Sequence, residues 1–133
     1  MIVDYKNKIK AENKILLNLK NCNINFICLA GFMKILSKKI INKYKNRILN
    51  IHPSLLPKYK GLNTHKRVLK NNEKFTGCTV HVVNLKLDSG KIILQKKIKV
   101  LKKDNENSLS RKVLKIENLI YPQAIKKFIS SNL

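Results

Sequence analysis

The sequence predicts an α/β fold in a single domain over residues 1–133, with a sheet that is parallel at first and mixed at its edge. Three observations support this prediction. Amphipathic segments alternate with short apolar runs as far as residue 51, which is the order found in α/β sheets. Two β-rich segments then flank an Asp-Ser-Gly turn, as in a hairpin. Hydrophobic residues make up 44% of the 133 residues, which is enough for an independent core.

The first half of the chain contains two predicted helices and two predicted strands. Apolar residues spaced at helical intervals predict an amphipathic helix over residues 6–20. The continuous apolar run 25–30 predicts a buried parallel strand. Ser37 is a suitable N-cap for a helix over residues 38–45, and residues 47–51 form the next short strand.

The second half begins with a loop and ends with a long helix. The sequence first predicts a loop with Pro53, Pro57 and Gly61 and then a helix over 64–69. Strands follow over 76–83 and 91–100, around a turn at 88–90. The final helix is capped by Asn107 or Ser108. Pro122 lies inside this last helix. We expect it to kink or interrupt the helix, because proline lacks a backbone donor and its ring clashes with the preceding turn.

Composition disfavours several classes of protein. No apolar run approaches the ~20 residues of a membrane span, and the first residues lack the apolar core of a secretory signal. Cys22, Cys28 and Cys78 form no C-x-x-C pair and lie among apolar neighbours, so we expect reduced core thiols in a cytoplasmic protein. A membrane protein, a zinc ribbon and a secreted disulfide scaffold are therefore not expected.

The formal charge of +22 comes from 29 basic and seven acidic residues. Such a charge would favour nucleic acid, because lysine and arginine neutralise phosphates. The lysines, however, are spread along the chain, only three of the basic residues are arginine, and there is no tryptophan for base stacking. Lysine, asparagine and isoleucine share A/T-rich codons. We therefore expect genome bias to account for most of the excess and anionic substrates or nucleic acid for the rest, and nucleic acid is not the expected partner.

The densest chemical signal is the segment from Asn50 to Gly61, NIHPSLLPKYKG. Because side chains alternate along a strand, Asn50 and His52 leave the carboxyl end of the predicted strand on the same face. The crevice beyond such ends is where α/β sheets bind ligands. An amide donor beside an imidazole can stabilise an oxyanion and move a proton. A lone histidine at a strand end is more commonly structural, so this pair needs further support.

Asp88 is the second candidate, in the turn Leu87–Gly90. An aspartate that bonds its own backbone is the simpler interpretation of a residue in such a turn. The chain has only seven acidic residues, however, and a carboxylate near His52 would stabilise the protonated imidazole. Such a ring is a better proton donor and acceptor near neutral pH. Asp88 is therefore a candidate partner of His52.

Together these motifs resemble glycinamide ribonucleotide (phosphoribosylglycinamide) formyltransferase, the folate-dependent enzyme of de novo purine biosynthesis. The matching segments are residues 29–37 (LAGFMKILS), 50–61 (NIHPSLLPKYKG), 61–65 (GLNTH), 77–81 (GCTVH) and 87–95 (LDSGKIILQ), with Glu117 and Ile120-Tyr121-Pro122 in the last helix. The resemblance covers nearly the whole chain without evident gaps. It implies a Rossmann-like formyltransferase fold with a mostly parallel sheet and helices on both faces.

The resemblance also implies a reaction. The amine of glycinamide ribonucleotide attacks the formyl carbon of 10-formyltetrahydrofolate. Asn50 and His52 stabilise the tetrahedral oxyanion, and His52 donates a proton. Asp88 stabilises protonated His52 and assists proton transfer through water. Glu117 contacts the ribonucleotide substrate. No metal or redox cofactor is implied, and no membrane partner.

The folate-binding residues that the resemblance implies are Lys8, Met33, Lys34, Ile35, Leu36 and Asn50. The segment 33–36 frames the folate pocket, and its backbone groups read the pterin. Lys34 stands where the family often has arginine, which keeps the charge but loses the planar fork. Without the resemblance, Met33, Ile35 and Leu36 would be interpreted as core residues and Glu117 as a solvated helix charge. His81 lies in a predicted strand and is either a residue that supports the catalytic pair or a satisfied core histidine, of which the second is expected.

The family's domain starts with a strand, a glycine-rich loop and a helix that hold the substrate phosphate at the helix N-terminus. None of the four glycines of this chain lies in its first thirty residues. We therefore expect the first strand–loop–helix units to be absent, so that residues 1–133 form a partial formyltransferase domain. A second polypeptide that supplies the missing part, a fragment of a longer frame and a decayed product are three explanations that stay open.

Three alternative functions also stay open. Within formyl chemistry they are methionyl-tRNA formyltransferase, which would need an additional RNA-binding module, and formyltetrahydrofolate deformylase, which would need an N-terminal regulatory domain. From a different class, the chain could be a non-catalytic basic protein that binds nucleic acid. Such a protein would bind more weakly as salt increases and would be indifferent to substitution of Asn50, His52 or Asp88.

Overall fold

The structure is a computed structural model that describes residues 2–132. Each predicted helix and strand is present, with small differences in its bounds. The elements, in chain order, are α1 (Lys8–Asn21), β1 (Ile27–Leu29), α2 (Lys38–Lys43), β2 (Ile48–His52), α3 (Thr64–Lys70), β3 (Phe75–Val82), β4 (Ile92–Lys99) and α4 (Glu106–Asn132).

The sheet has four strands in the order β1-β2-β3-β4. β1 and β2 are parallel, whereas β2 pairs with β3 and β3 with β4 in the antiparallel sense. This confirms a sheet that is parallel at first and mixed at its edge. The described sheet is not mostly parallel, because β3 runs back along β2 after the short helix α3, and the 88–90 turn folds β4 back onto β3.

Alternation along β2 divides the core into two clusters, one on each face of the sheet. Leu49 and Ile51 pack with β3 and α4, in the cluster that contains Val113 and Phe128. Ile48 points to the other face, where α1 and α2 supply its buried apolar neighbours, Leu16, Ile40 and Tyr44. The prediction of helices on both faces is therefore confirmed.

The long helix α4 also fixes the edge of the sheet. The hydroxyl of Tyr121 donates to the backbone oxygen of Leu29 in β1 at 2.7 Å and lies 3.3 Å from the oxygen of Leu49 in β2.

Within residues 2–132, no helix has the length and apolarity needed to span a membrane.

The predicted cap of the last helix is wrong, and so is the predicted interruption at Pro122. Neither Asn107 nor Ser108 is the N-cap, because the helix begins at Glu106. Instead, Asn105 Oδ1 accepts from the Ser108 N–H at 2.9 Å, and Ser108 Oγ accepts from the Asn105 N–H at 3.0 Å, which is a reciprocal cap. Pro122 does not interrupt the helix, which continues to Asn132. Buried residues on both sides of the proline pack into the core, and this tertiary packing outweighs the lost hydrogen bond.

The prediction of three core thiols is correct only for Cys78, which is buried in β3. Burial raises the pKa of its thiol to about 12, so it is neutral at physiological pH. Cys22 and Cys28 are exposed, because Cys22 follows the end of α1 and Cys28 lies in a short edge strand.

The two faces of α4 provide a test of this packing. Leu109 is 0% exposed and Leu114 is 53% exposed on the same helix. We expect Leu109→Ala to lower the free energy of unfolding by about 2–5 kcal/mol, because it leaves a cavity in the core. Leu114→Ala is the matched control and is expected to change stability by less than about 0.5 kcal/mol. Urea denaturation measures both, and equal losses would contradict the assignment of the buried face.

Candidate active site

The antiparallel register of β2 and β3 brings four polar side chains onto one face of the sheet. Asn50 pairs with His81, and His52 pairs with Thr79. Asn50 and His52 alternate with the core residues Leu49 and Ile51 of β2, so they lie on the opposite face from these residues. The two histidines and Thr79 are buried. The carboxyl end of β2 therefore carries a polar cluster within an otherwise apolar sheet.

Asp88 lies between the two histidines. Its Oδ2 is 3.5 Å from His52 Nδ1, its Oδ1 is 3.6 Å from His81 Nε2, and its side chain is only 7% exposed. The Gly61 N–H donates to the same Oδ2 at 2.8 Å. One carboxylate thus contacts both imidazoles and is also fixed by a backbone donor.

The turn that carries Asp88 has to approach β3 very closely. A Cβ at Gly90 would lie 1.6 Å from the backbone oxygen of Val82, so only glycine fits there. Asp88 itself has a left-handed backbone with φ of 45°, a conformation that aspartate tolerates better than most residues. The Asp-Ser-Gly sequence of the turn therefore places the carboxylate against the strand.

His52 has an acceptor at each ring nitrogen. Its Nε2–H donates to the backbone oxygen of Tyr59 at 2.8 Å, whereas Nδ1 faces Asp88. Because both neighbours are acceptors, the doubly protonated imidazolium satisfies both contacts. This arrangement suits a proton donor that is held in one orientation.

His81 is buried and hydrogen-bonded, as expected of a satisfied core histidine, and it is also part of this cluster. Its Nδ1–H donates to the oxygen of Val82 at 3.1 Å, and its Nε2 lies 3.5 Å from Asn50 Nδ2. Burial lowers the pKa of His81, so the neutral ring is favoured. A neutral Nε2 can accept from the Asn50 amide and orient it. Only the strand register, which the sequence does not reveal, brings the two residues together.

A groove runs from this cluster along the ends of β1 and β2. Asn50, His81 and Asp88 lie at one part of it, and its walls include Leu29, Phe32, Ile35, Leu36, Val83 and Leu87. The exposed residue Lys34 also lines the groove. Met33 and Lys8 are not among the lining residues within 2–132, and Met33 is 68% exposed.

Glu117 is separate from the histidine–aspartate cluster. It lies on α4, is partly buried, and makes no hydrogen bond or ion pair with Asn50, His52 or Asp88 in the part of the chain that the structure describes. Burial raises the pKa of its carboxyl group, and its charge acts on the thiol of Cys78. No group of three metal-ligating side chains lies together within residues 2–132.

A buried carboxylate–imidazole pair with an amide donor, at the carboxyl end of a strand and beside an apolar groove, defines a class of acyl-handling enzyme sites. The sequence model described as "Formyl transferase" matches residues 3–125. The chain belongs to the formyl transferase family.

Several members of this family resemble the chain closely. Phosphoribosylglycinamide formyltransferase of Escherichia coli is 46% identical over 107 residues, which are 80% of this chain and 50% of that protein. The crystal structure of phosphoribosylglycinamide formyltransferase from Bacillus halodurans has a TM-score of 0.89 at 35% identity, covering 95% of this chain and 65% of that one. A formyltetrahydrofolate deformylase from Pseudomonas syringae has a TM-score of 0.87 at 27% identity, covering 92% and 41%. The chain thus spans about half the length of its E. coli relative.

Two threonines on β3 provide a test of how the loop after His52 is held. Thr79 Oγ1 donates to Ser54 O at 2.7 Å and accepts from the Leu56 N–H and from Gln95. Thr79→Val removes these bonds at nearly constant shape. We expect a loss of about 1–3 kcal/mol in the free energy of unfolding, because buried partners are left unsatisfied.

Thr76→Val is the matched control. Thr76 is equally buried, but its hydroxyl has no hydrogen-bond partner among residues 2–132. Replacing it with a methyl group is expected to leave stability unchanged or to increase it. Chemical denaturation of both variants measures the difference, and equal losses would show that the Thr79 bonds do not stabilise the loop.

Proposed function

We propose that the chain carries the folate-side part of a phosphoribosylglycinamide formyltransferase site. In the proposed reaction, a formyl group moves from 10-formyltetrahydrofolate to the amine of glycinamide ribonucleotide. The observation that carries this proposal is the Asn50–His52–Asp88 cluster beside an apolar groove, in a chain of the formyl transferase family. The names of its relatives in E. coli and B. halodurans favour the purine substrate.

The proposed reaction uses the Asn50–His52–Asp88 cluster in two ways, to stabilise an oxyanion and to move a proton. First, the substrate amine forms a bond to the formyl carbon, and the carbonyl electron pair moves to oxygen. The amide of Asn50 and the Nδ1–H of His52 stabilise the oxyanion, since the Nε2–H of that ring is bonded to Tyr59 O. The bond from carbon to the folate nitrogen then breaks. One proton leaves the attacking nitrogen and one is delivered to the folate nitrogen, so the reaction consumes no net proton.

His52 Nδ1 is the atom that we assign to this proton transfer. The Nε2–H of the same ring is already bonded to Tyr59 O, whereas Nδ1 lies 3.5 Å from Asp88. A proton at Nδ1 is stabilised by the carboxylate and can be passed on through water. Asp88 therefore acts by orienting the Nδ1–H of His52 and by relaying the proton.

The groove suits the folate co-substrate. Its apolar walls fit a flat pterin ring, and Asn50 at one part of the groove would be near the formyl group. Lys34 and Lys86 add positive charge to the groove for a carboxylate-bearing ligand. We also retain Met33 and Lys8 as folate contacts, and Lys8 would have to reach the ligand from the exposed start of α1.

A second polypeptide, or another segment that carries the phosphate-binding loop, is part of this proposal. In the part of the chain that the structure describes, β1 is paired along one edge only, with β2. A free edge of this kind is a template for another strand. The activity assay is therefore run on the chain alone and on its mixture with the N-terminal half of the E. coli relative.

Deformylation is the second candidate, and the structural similarity to the P. syringae deformylase favours it. In that reaction water replaces the amine and formate is released. The two functions separate in one assay, because formyl transfer requires glycinamide ribonucleotide whereas deformylation does not.

Substitution of the cluster is the direct test of formyl transfer. We expect His52→Ala and Asp88→Asn to lower kcat by about 10²- to 10⁴-fold, because each removes a group that stabilises or moves charge in the transition state. Formation of the formylated product from 10-formyltetrahydrofolate measures this. Lys103→Ala, at an exposed position away from the cluster, is the control and should retain activity.

The proposal is contradicted if His52→Ala and Asp88→Asn leave kcat unchanged. If the wild-type chain instead binds nucleic acid with an affinity that falls steeply with salt, and His52→Ala binds equally well, the chain is a basic binding protein.

Glu117 is proposed to contact the ribonucleotide, and this role predicts a conflict between stability and binding. The folded-state pKa of Glu117 lies above its ordinary value of 4.5, because burial disfavours the carboxylate. The folded state therefore loses stability as pH rises from 4.5 through this raised pKa. We expect Glu117→Gln to be more stable than wild type at pH 7, and the difference to vanish below pH 4.5.

The same substitution is expected to raise KM for glycinamide ribonucleotide while leaving KM for the folate unchanged. Thermal unfolding at pH 7 and at pH 4 measures the first effect, and steady-state kinetics measures the second. A stabilised variant with normal kinetics would remove Glu117 from the substrate site.

A further inference from the structure

One short segment, residues 59–61, contacts both members of the histidine–aspartate pair, His52 through Tyr59 and Asp88 through Gly61. The oxygen of Tyr59 accepts from His52 Nε2–H at 2.8 Å, and the N–H of Gly61 donates to Asp88 Oδ2 at 2.8 Å. Both contacts are made by backbone atoms. The position of this segment, which we call the 59–61 segment, therefore sets the orientation of the imidazole and of the carboxylate together.

The backbone of the 59–61 segment is strained. Tyr59 has φ of 56°, in the left-handed region that bulky side chains rarely adopt. A conformation of this kind persists only where surrounding contacts hold it. The side chains that supply these contacts come from α3 and from the turn that follows it.

Four interactions fix the segment from outside. The Tyr59 hydroxyl donates to Glu73 Oε1 at 2.8 Å, and Asn71 Nδ2 donates to the same hydroxyl at 3.0 Å. The guanidinium of Arg67 lies 5.3 Å from the centre of the Tyr59 ring and also donates to Lys60 O at 2.7 Å. None of these side chains lies in the groove.

We propose that Glu73, acting through the Tyr59 hydroxyl, is a positioning residue that holds the 59–61 segment and thereby orients His52 against Asp88. The Glu73 carboxylate accepts from the Tyr59 phenol, the ring of which lies beneath Arg67. For its kinetic test the inference rests on the proposed formyl transfer. The orientation of His52 can be tested without it.

The charge of Glu73 is consistent with this role. The hydrogen bond from Tyr59 is the main cause that lowers the pKa of Glu73, and the one from Lys58 adds to it. The two partners differ in their surroundings, since the side chain of Lys58 is 65% exposed and that of Glu73 is 26% exposed. The ion pair with Lys58 is therefore screened by solvent, and the bond to Tyr59 is the contact that reaches the site.

Glu73→Ala tests the inference, with Glu73→Gln as the conservative variant and Lys58→Ala as the matched control. Glu73→Ala is expected to lower kcat about tenfold with little change in KM, because a displaced imidazole is poorly aligned for proton transfer. The amide oxygen of Gln can still accept from the phenol, so Glu73→Gln should restore most of the rate. Lys58→Ala, which removes only the exposed partner, should behave as wild type.

The second measurement is solvent exchange of the imidazole N–H protons by NMR. The His52 Nε2–H bonded to Tyr59 should exchange at least several-fold faster in Glu73→Ala. The His81 Nδ1–H bonded to Val82 is the internal reference and should not change. The charged and titratable groups around His52 are Asp88, His81 and His65, and all variants retain them.

Tyr59→Phe is measured as well, since it removes the same bond and keeps the ring beneath Arg67. It should reproduce the faster exchange even if Glu73→Ala folds poorly. Unchanged His52 exchange in both folded variants, or equal losses in Glu73→Ala and Lys58→Ala, would overturn the inference. If the wild-type chain shows no formyl transfer, the proposed function fails, but the exchange measurement still decides the positioning role.

Discussion

The antiparallel register between β2 and β3 is the constraint on which the site depends. It pairs Asn50 with His81 and His52 with Thr79 on one face, while Leu49 and Val80 pack beneath α4 on the other. A shift by one residue would turn the polar set into the core and the apolar set toward the groove. The packing of α4 and the geometry of the cluster are therefore two results of the same pairing.

The electrostatics of the site depend on Asp88, one of the few acidic residues of the chain. The chain has 29 basic residues and seven acidic ones, yet one of those seven is buried between two imidazoles. A carboxylate with an exposure of 7% has little screening by water, so it acts strongly on its neighbours. The two histidines use it differently, because His52 has acceptors at both nitrogens, whereas His81 donates to a backbone oxygen and favours the neutral form.

Sequence periodicity was sufficient to predict the helices and strands, and to predict that Asn50 and His52 lie on the same face of β2. The scarcity of acidic residues made Asp88 a candidate partner of His52 and the resemblance implied its role, because a turn residue 36 positions away gives no local signal of its partner. The pairing of His81 with Asn50 could not be predicted for the same reason, since strand register depends on long-range packing. The uninterrupted α4 also depends on packing, because Ile120 and Ala124 are buried on either side of Pro122.

The bond from Tyr121 to Leu29 has a consequence for the order in which the chain acquires its structure. It joins residues 92 positions apart, and the helix that supplies it is synthesised after all four strands of the described sheet. Contacts with such separation form late, since the intervening chain must first be closed into a loop. During synthesis β1 therefore lacks this hydrogen bond until Tyr121 has left the ribosome. The first strand of the described sheet is thus fixed by a helix that follows all four strands in the chain.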